Sequence, residues 1–336
     1  MKALVYTRPH ELQLQDRPMP ELVPDEVVLQ IEAVGICGSD LHAWHGHDPR
    51  RQPGLVLGHE FVGRIVGSAA PGFEPGTRWT GNPLITCGRC DYCVQGRNNL
   101  CSRRSMVGMT RPGAYAEFMS IPAASLVAIP QDLPARTAAL TEPAATAWHA
   151  LHLSLRALAR PLHECRALVI GGGAIGMLAA LLMQRLGVRA LAVSEPNPGR
   201  RGTVAAAVRC QALDPRAAPL PGEAYDFVID AVGSRATRAD ALRAVKAGGV
   251  VMHVGLQEGA SEIDMRRLTL AEITLLGTYT YTTADLRATV AALAEGAFGD
   301  LAWVEERELA QGPQAFVELD RGALASPKVV LRNAPG

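Results

Sequence analysis

Leu168-Val169-Ile170-Gly171-Gly172-Gly173-Ala174-Ile175-Gly176 is the stretch of this 336-residue chain whose reading decides the fold. Three β-prone apolar residues run into a G-x-G-x-x-G spacing, and an apolar segment continues through Leu186. The glycine pattern alone is a weak signal. A strand before it and a helix after it supply the setting that a dinucleotide-binding turn requires. In that reading Gly171 permits the turn, Gly173 lets backbone approach a pyrophosphate, and Gly176 lets helix and sheet pack closely. The helix N-terminus then faces the phosphates with its partial positive charge.

Working outward, the sequence alternates. Strand-like runs at Ala167–Ile170, Ala190–Ser194, Phe227–Ala231 and Val250–Val254 are interleaved with helix-like runs at Ile175–Leu186 and Ala239–Lys246. This alternation predicts a parallel sheet with helices on both faces. An Ala/Leu-rich helix is expected over Ala144–Ala159, a strand over Thr274–Tyr281 and a helix over Ala284–Glu295. Lys328–Leu331 reads as an edge strand that returns to the first part of the chain. Residues 1–130 differ in texture, being rich in Gly, Pro and short β-prone runs, which predicts a barrel-like or irregular β domain. The change of texture falls near Thr141.

Glu195 lies nineteen residues after Gly176, at the end of the second strand of the alternating region. An acid there would bond the adenosine ribose hydroxyls and repel a 2′-phosphate, which favours NAD over NADP. Arg200 and Arg201 would reverse that preference if they paired with the phosphate. The alternative for Glu195-Pro196-Asn197-Pro198 is a surface turn.

Cys87, Cys90, Cys93 and Cys101 follow C-x2-C-x2-C-x7-C, with Gly88 and Gly96 supplying turns. Four thiolates close a tetrahedral shell around one zinc and leave no position for chemistry. The alternative is disulfide pairing, and nothing else in the sequence suggests secretion. A reactive centre must therefore lie elsewhere. Gly35-Ile36-Cys37-Gly38-Ser39-Asp40-Leu41-His42 is followed by Gly58-His59-Glu60. Cys37, His59 and a carboxylate offer the S, N and O donors of an open zinc site, and Glu142 in Thr141-Glu142-Pro143 is a further candidate.

In this order these segments resemble the zinc-dependent medium-chain alcohol dehydrogenases, closest to the polyol, threonine and butanediol dehydrogenase branch. The likeness covers nearly the whole chain. It implies an α/β fold with a GroES-like β-rich catalytic domain over 1–145, a zinc lobe at about 84–104, a Rossmann domain over 146–278, and a return to the catalytic domain over 279–336. It implies two zinc ions per chain, one in the cysteine lobe and one on Cys37 and His59. Glu60 stands where some members place a coordinating glutamate that exchanges with water. Glu142 occupies the second-cysteine position of the classical enzymes, as the polyol branch does. Asp40 matches the acid that orients the ligand histidine. Ser39, the nicotinamide ribose and His42 would form the proton route. Ile175, Val254, Gly255, Leu256, Thr278 and Tyr279 would join Gly171, Gly173, Gly176, Glu195 and Arg200 around the cofactor.

The reaction so implied is reversible hydride transfer between a secondary alcohol and NAD, with NADP as the alternative. Trp44, His45, His47, Arg50 and Arg51 form a segment expected to face the cleft, which suits a polyol or, through its arginines, a sugar phosphate. Threonine dehydrogenases carry a histidine shortly before the first lobe cysteine, whereas Asn82-Pro83-Leu84-Ile85-Thr86 stands here. A zinc-independent quinone reductase lacks these metal donors, and a non-catalytic NAD-binding relative would be expected to have lost part of the set. Lys plus Arg and Asp plus Glu are both 33, which argues against nucleic acid or an anionic membrane as partner. The absence of an apolar run of about 18 residues predicts no membrane span. Met1–Tyr6 gives way to charge and proline, so no signal peptide and a cytoplasmic protein are expected. The resemblance further implies a homodimer or homotetramer.

Overall fold

The computed structural model describes residues 1–333. The glycine motif sits where a six-stranded parallel sheet turns into its first helix. The strands lie in the spatial order Gln211–Leu213, Ala190–Ser194, Arg166–Ile170, Tyr225–Asp230, Val245–His253, Thr274–Gly277. Numbered along the chain this is 3-2-1-4-5-6, the order of a doubly wound Rossmann sheet, in which ligands sit outside the carboxyl ends near strand 1.

Alternation along each strand explains why both faces are covered. Ala167, Val169, Phe227, Ile229, Val250 and Met252 point into one core with the helices Thr141–Leu155 and Ala174–Arg185. Leu168, Ile170, Val228 and Val251 point the other way, against Ala241 and Leu242 of the helix Arg235–Ala244. A strand with both faces buried must be apolar at every position, which is why these runs do not alternate in hydropathy. Each large apolar side chain so buried stabilises the fold by about 1.5–3 kcal/mol.

The β-rich part is a seven-stranded, mostly antiparallel sheet built around Glu26–Gly35, which pairs with Glu60–Ser68, Phe118–Pro122 and Lys328–Arg332. This pairing places the end of Glu26–Gly35 beside the start of Glu60–Ser68, Gly35 opposite Glu60. The two metal-donor segments, more than twenty residues apart in sequence, meet there because of register.

Three expectations are corrected. Lys328–Arg332 is interior, lying between Glu26–Gly35 and a parallel strand, Val304–Glu308. Its first four residues are all buried, so it has no solvent side. The strand expected to run to Tyr281 stops at Gly277. Thr280 has φ of 45°, which no strand accommodates. The helix expected from Ala144 begins at Thr141 and ends at Leu155, with Pro143 tolerated in its first turn. Glu142 therefore sits on a rigid element at the helix start. Among the described residues no helix is long and apolar enough to cross a membrane.

Candidate active site and metal centres

Cys37 and Ser39 belong to the start of the helix Gly38–Trp44, where the Cys37 sulfur accepts the Ser39 N–H as an N-cap. His59 and Glu60 stand at the head of the neighbouring strand and are 2% and 1% exposed. The donor atoms of Cys37, His59 and Glu60 lie within 4.8 Å of one another. Behind them Asp40 is wholly buried. Its Oδ2 accepts the Tyr115 hydroxyl at 2.6 Å, and its Oδ1 lies 3.5 Å from His59 Nδ1 and 3.6 Å from Arg51 Nη2.

The electrostatics of this pocket suit a cation. Burial opposes a charged His59, yet the Asp40 carboxylate and the Cys37 sulfur outweigh it and hold its pKa well above the usual value. Burial also works against an ionised Asp40, but His59, Arg51 and Tyr115 bring its pKa down to about 2. His59 Nδ1 and Asp40 Oδ1 have no better hydrogen-bond partner than each other. With Nδ1 turned to a carboxylate, the other ring nitrogen is the one free to bind a metal, the usual arrangement of a ligand histidine. The donors thus fit a catalytic zinc.

The two glutamates differ. Glu60 is ion-paired, its oxygens 2.7 and 2.6 Å from Lys328 Nζ, which also donates to Ile36 O at 2.7 Å. Burial alone would depress the Lys328 pKa, but Glu60 and Cys37 raise it, so the lysine stays charged. Glu142 is not in the 4.8 Å set. Its Oε1 accepts the Tyr281 hydroxyl at 3.0 Å. Burial, joined by the charge of Glu60 and opposed by His59, moves its pKa up to about 7. The helix carrying Glu142 is tied to the helix Thr283–Ala294 that follows Tyr281. Asp285 lies 2.8 Å from His149 Nδ1 and 3.1 Å from His152 Nδ1, while accepting from the backbone N–H and hydroxyl of Thr282.

Ser39 Oγ lies 3.4 Å from the Cys37 sulfur and accepts from Arg51 Nη2 at 3.2 Å. His42 is one turn further along the same helix, half-buried. Burial and then the charges of His47, His45 and Arg51 lower its pKa, so it is neutral and able to take a proton at neutral pH. The neighbouring segment does not line a cleft as expected. Trp44 packs in the core against His10 and Phe316, His45 is bonded to Asp320, and Arg51 is buried and bonded to Asp48, Ser39 and Gly108. His47 and Arg50 remain exposed, the Arg50 guanidinium paired with Asp48.

In the cysteine lobe the sulfurs of Cys87 and Cys93, Cys90 and Cys93, and Cys87 and Cys101 are 4.0, 3.5 and 3.5 Å apart. A tetrahedral zinc with bonds of about 2.3 Å requires sulfurs about 3.8 Å apart. All four are free thiols. Backbone N–H groups of Arg89 and Cys90 point at Cys87 and bring its pKa down to about 5, favouring the thiolate that a metal needs. This donor set fits a structural zinc.

At the glycine motif, Gly171 has φ of 100° and a side chain at Gly176 would collide with the Gly171 carbonyl. A Cβ on Gly173 would meet nothing within 4 Å, leaving open space at the helix N-terminus where a pyrophosphate would lie. Both Glu195 oxygens are engaged, accepting Gly172 N–H at 2.8 Å and Asn197 N–H at 2.7 Å. Glu195 therefore braces the glycine turn. Arg201 pairs with Asp214 at 3.0 Å, and Arg200 reaches Leu319 O at 3.4 Å, across to the catalytic part. Val254–Leu256 and Thr278-Tyr279 follow the carboxyl ends of the last two strands of the sheet, and Ile175 lies in the first turn of the glycine-motif helix.

The Alcohol dehydrogenase GroES-like domain family matches residues 23–131, and the Zinc-binding dehydrogenase family matches residues 174–295. The chain belongs to the zinc-binding alcohol dehydrogenases. It is 34% identical to an L-threonine 3-dehydrogenase of Chelativorans sp. (strain BNC1) over 293 residues, 83% of each chain. It is 32% identical to an L-galactonate-5-dehydrogenase of Escherichia coli (strain K12), covering 88% of each. Acetophenone reductase from Geotrichum candidum NBRC 4597, solved in complex with NAD, superposes with a TM-score of 0.87 at 28% identity, covering 98% of this chain and 96% of that one. The chain is accordingly a zinc-dependent, NAD(P)-linked oxidoreductase.

Lys328, Tyr281 and Tyr115 are the site residues that sequence reading missed. Each acts through a long-range contact. The one local signal was Lys328 heading an otherwise apolar run, where a buried lysine demands a buried acid.

Proposed function

We propose that this dehydrogenase oxidises a polyhydroxylated secondary alcohol, a sugar alcohol or sugar acid, with NAD, and runs the reverse reduction. The convergence of Cys37, His59 and Glu60, with Asp40 behind His59, is the observation that carries the reading. Cys37 and His59, completed by Glu60 or Glu142, would hold the catalytic zinc, and Cys87, Cys90, Cys93 and Cys101 the structural one. When bound, the zinc supplies a Lewis acid that lowers the pKa of an alcohol, and the nicotinamide accepts the hydride. Asp40 fixes the His59 ring and raises its basicity. Ser39 Oγ would accept the substrate hydroxyl proton as it gives up its own, and neutral His42, further along the same helix, would receive the released proton and pass it to solvent. Lys328 pairs with Glu60 within the donor set, and Tyr281 hydrogen-bonds Glu142, which would approach the metal from the helix start.

Glu195 would favour NAD, because a 2′-phosphate would meet a buried carboxylate. Arg201 is committed to Asp214, and Arg200 reaches toward Leu319. The catalytic domain would span 1–145 and 279–336, with the cofactor domain at 146–278. The likeness to threonine dehydrogenases supports threonine as a second reading. Asn82, whose Oδ1 accepts the Leu84 N–H, begins the segment that departs from that branch.

An oxidation screen of polyols, sugar acids, sugar phosphates, diols and threonine, with NAD and NADP and read by NADH absorbance, tests this. NAD-linked turnover of a polyol or sugar acid, at least about tenfold above threonine in kcat/KM, is expected. Threonine as the best substrate would sink the polyol reading, and no turnover of any alcohol by zinc-loaded protein would sink the enzyme assignment. The same preparation should sediment as a dimer or tetramer.

A further inference from the structure

The cysteine lobe is not isolated from the active site. Asn98, three residues before Cys101, donates from Nδ2 to Thr283 Oγ1 at 3.0 Å and accepts the Thr283 N–H at 3.1 Å. Asn99, 3% exposed, donates to the Tyr279 carbonyl at 2.9 Å. The Arg104 guanidinium lies over the Tyr279 ring at 4.8 Å, and Leu84, Met106 and Met109 pack against it. Between these anchors the chain is strained. Thr280 is β-branched, has φ of 45°, and buries its hydroxyl without a hydrogen-bond partner. A residue keeps such a conformation only where its surroundings over-determine it. The next residue is Tyr281, fully buried on Glu142.

We propose that the cysteine lobe, through Asn98 and Asn99, holds the strained loop 277–283 in the shape that delivers Tyr281 to Glu142. Asn98 and Asn99 are thus positioning residues for the active site, and the lobe does more than stabilise. The proposal rests on the reading of Glu142 as part of the catalytic site.

The test compares Asn98→Ala, Asn98→Asp, Tyr281→Phe and the Asn98→Ala/Tyr281→Phe double variant as zinc-loaded full-length protein. Steady-state kinetics, melting temperature and the rate of zinc release to a chromogenic chelator are read for each. Asn98→Ala and Tyr281→Phe should each lower kcat/KM about tenfold, the effect of losing one or two buried hydrogen bonds. Both should speed release of the more labile zinc while leaving the melting temperature nearly unchanged. The double variant should lose no more than Tyr281→Phe alone, because both act through one contact. Asn98→Asp keeps the acceptor for Thr283 N–H and should recover most activity. Thr283→Val removes the partner hydroxyl from the other side and repeats the comparison should Asn98→Ala fold poorly. A silent Asn98→Ala, or losses that multiply to about a hundredfold in the double variant, would overturn the coupling alone. A silent Tyr281→Phe would overturn the role of Glu142 and this proposal with it.

Discussion

Replacing Cys37 by serine will abolish alcohol turnover while leaving NAD binding intact. The thiolate is the only sulfur donor in the set formed with His59 and Glu60, and zinc binds thiolate far better than a neutral hydroxyl. Loss even of the groups that orient a metal ligand costs about 10–100-fold, so loss of the ligand itself should lower kcat/KM by on the order of a thousandfold or more. The fold should survive. Cys37 caps the helix Gly38–Trp44 through its side chain, and serine is a better cap than cysteine. The glycine turn lies in the other sheet, so NADH fluorescence titration should give a Kd within about twofold of the parent. Retained activity would remove Cys37 from the site, and lost NAD binding would mean that the substitution acted through folding.

Lys328→Met will be the most destabilising single change in the catalytic part. Methionine fits the volume but leaves the Glu60 carboxylate, 1% exposed, without its cation. Breaking one side of a buried ion pair costs about 3–5 kcal/mol, because the remaining charge is stranded in a low-dielectric interior. For a domain of this size that lowers the melting temperature by roughly 6–10 °C by calorimetry. Adding Glu60→Gln should restore most of the loss, since the stranded charge is then gone. An unchanged melting temperature in Lys328→Met would show that Glu60 finds another cation.

What was legible in the sequence was whatever is local. The strand–turn–helix around Gly171–Gly176 and the cysteine spacing at 87–101 each contain their own geometric reason, so they were readable without the rest of the chain. Cys37 and His59 were readable as candidate zinc donors, but not the backbone pairing that brings them together. Their meeting depends on the register that sets Gly35 against Glu60. The partners of the two glutamates were not readable at all. Lys328 reaches Glu60 across 268 residues and Tyr281 reaches Glu142 across 139, and no periodicity encodes such pairs. Arg50-Arg51 shows the opposite failure. Two adjacent arginines suggested an anion-binding cleft, yet Arg51 is buried as a brace behind Ser39 and Asp40.

Two separate donor sets form in the fold, one suited to a structural metal and one to a catalytic metal. Elemental analysis of zinc per chain, in the parent and in Cys37→Ser, tests that assignment most directly. About two zinc ions per chain are expected in the parent and about one in Cys37→Ser, the remainder lost only when the lobe cysteines are replaced. One zinc in the parent, or two in Cys37→Ser, would contradict it.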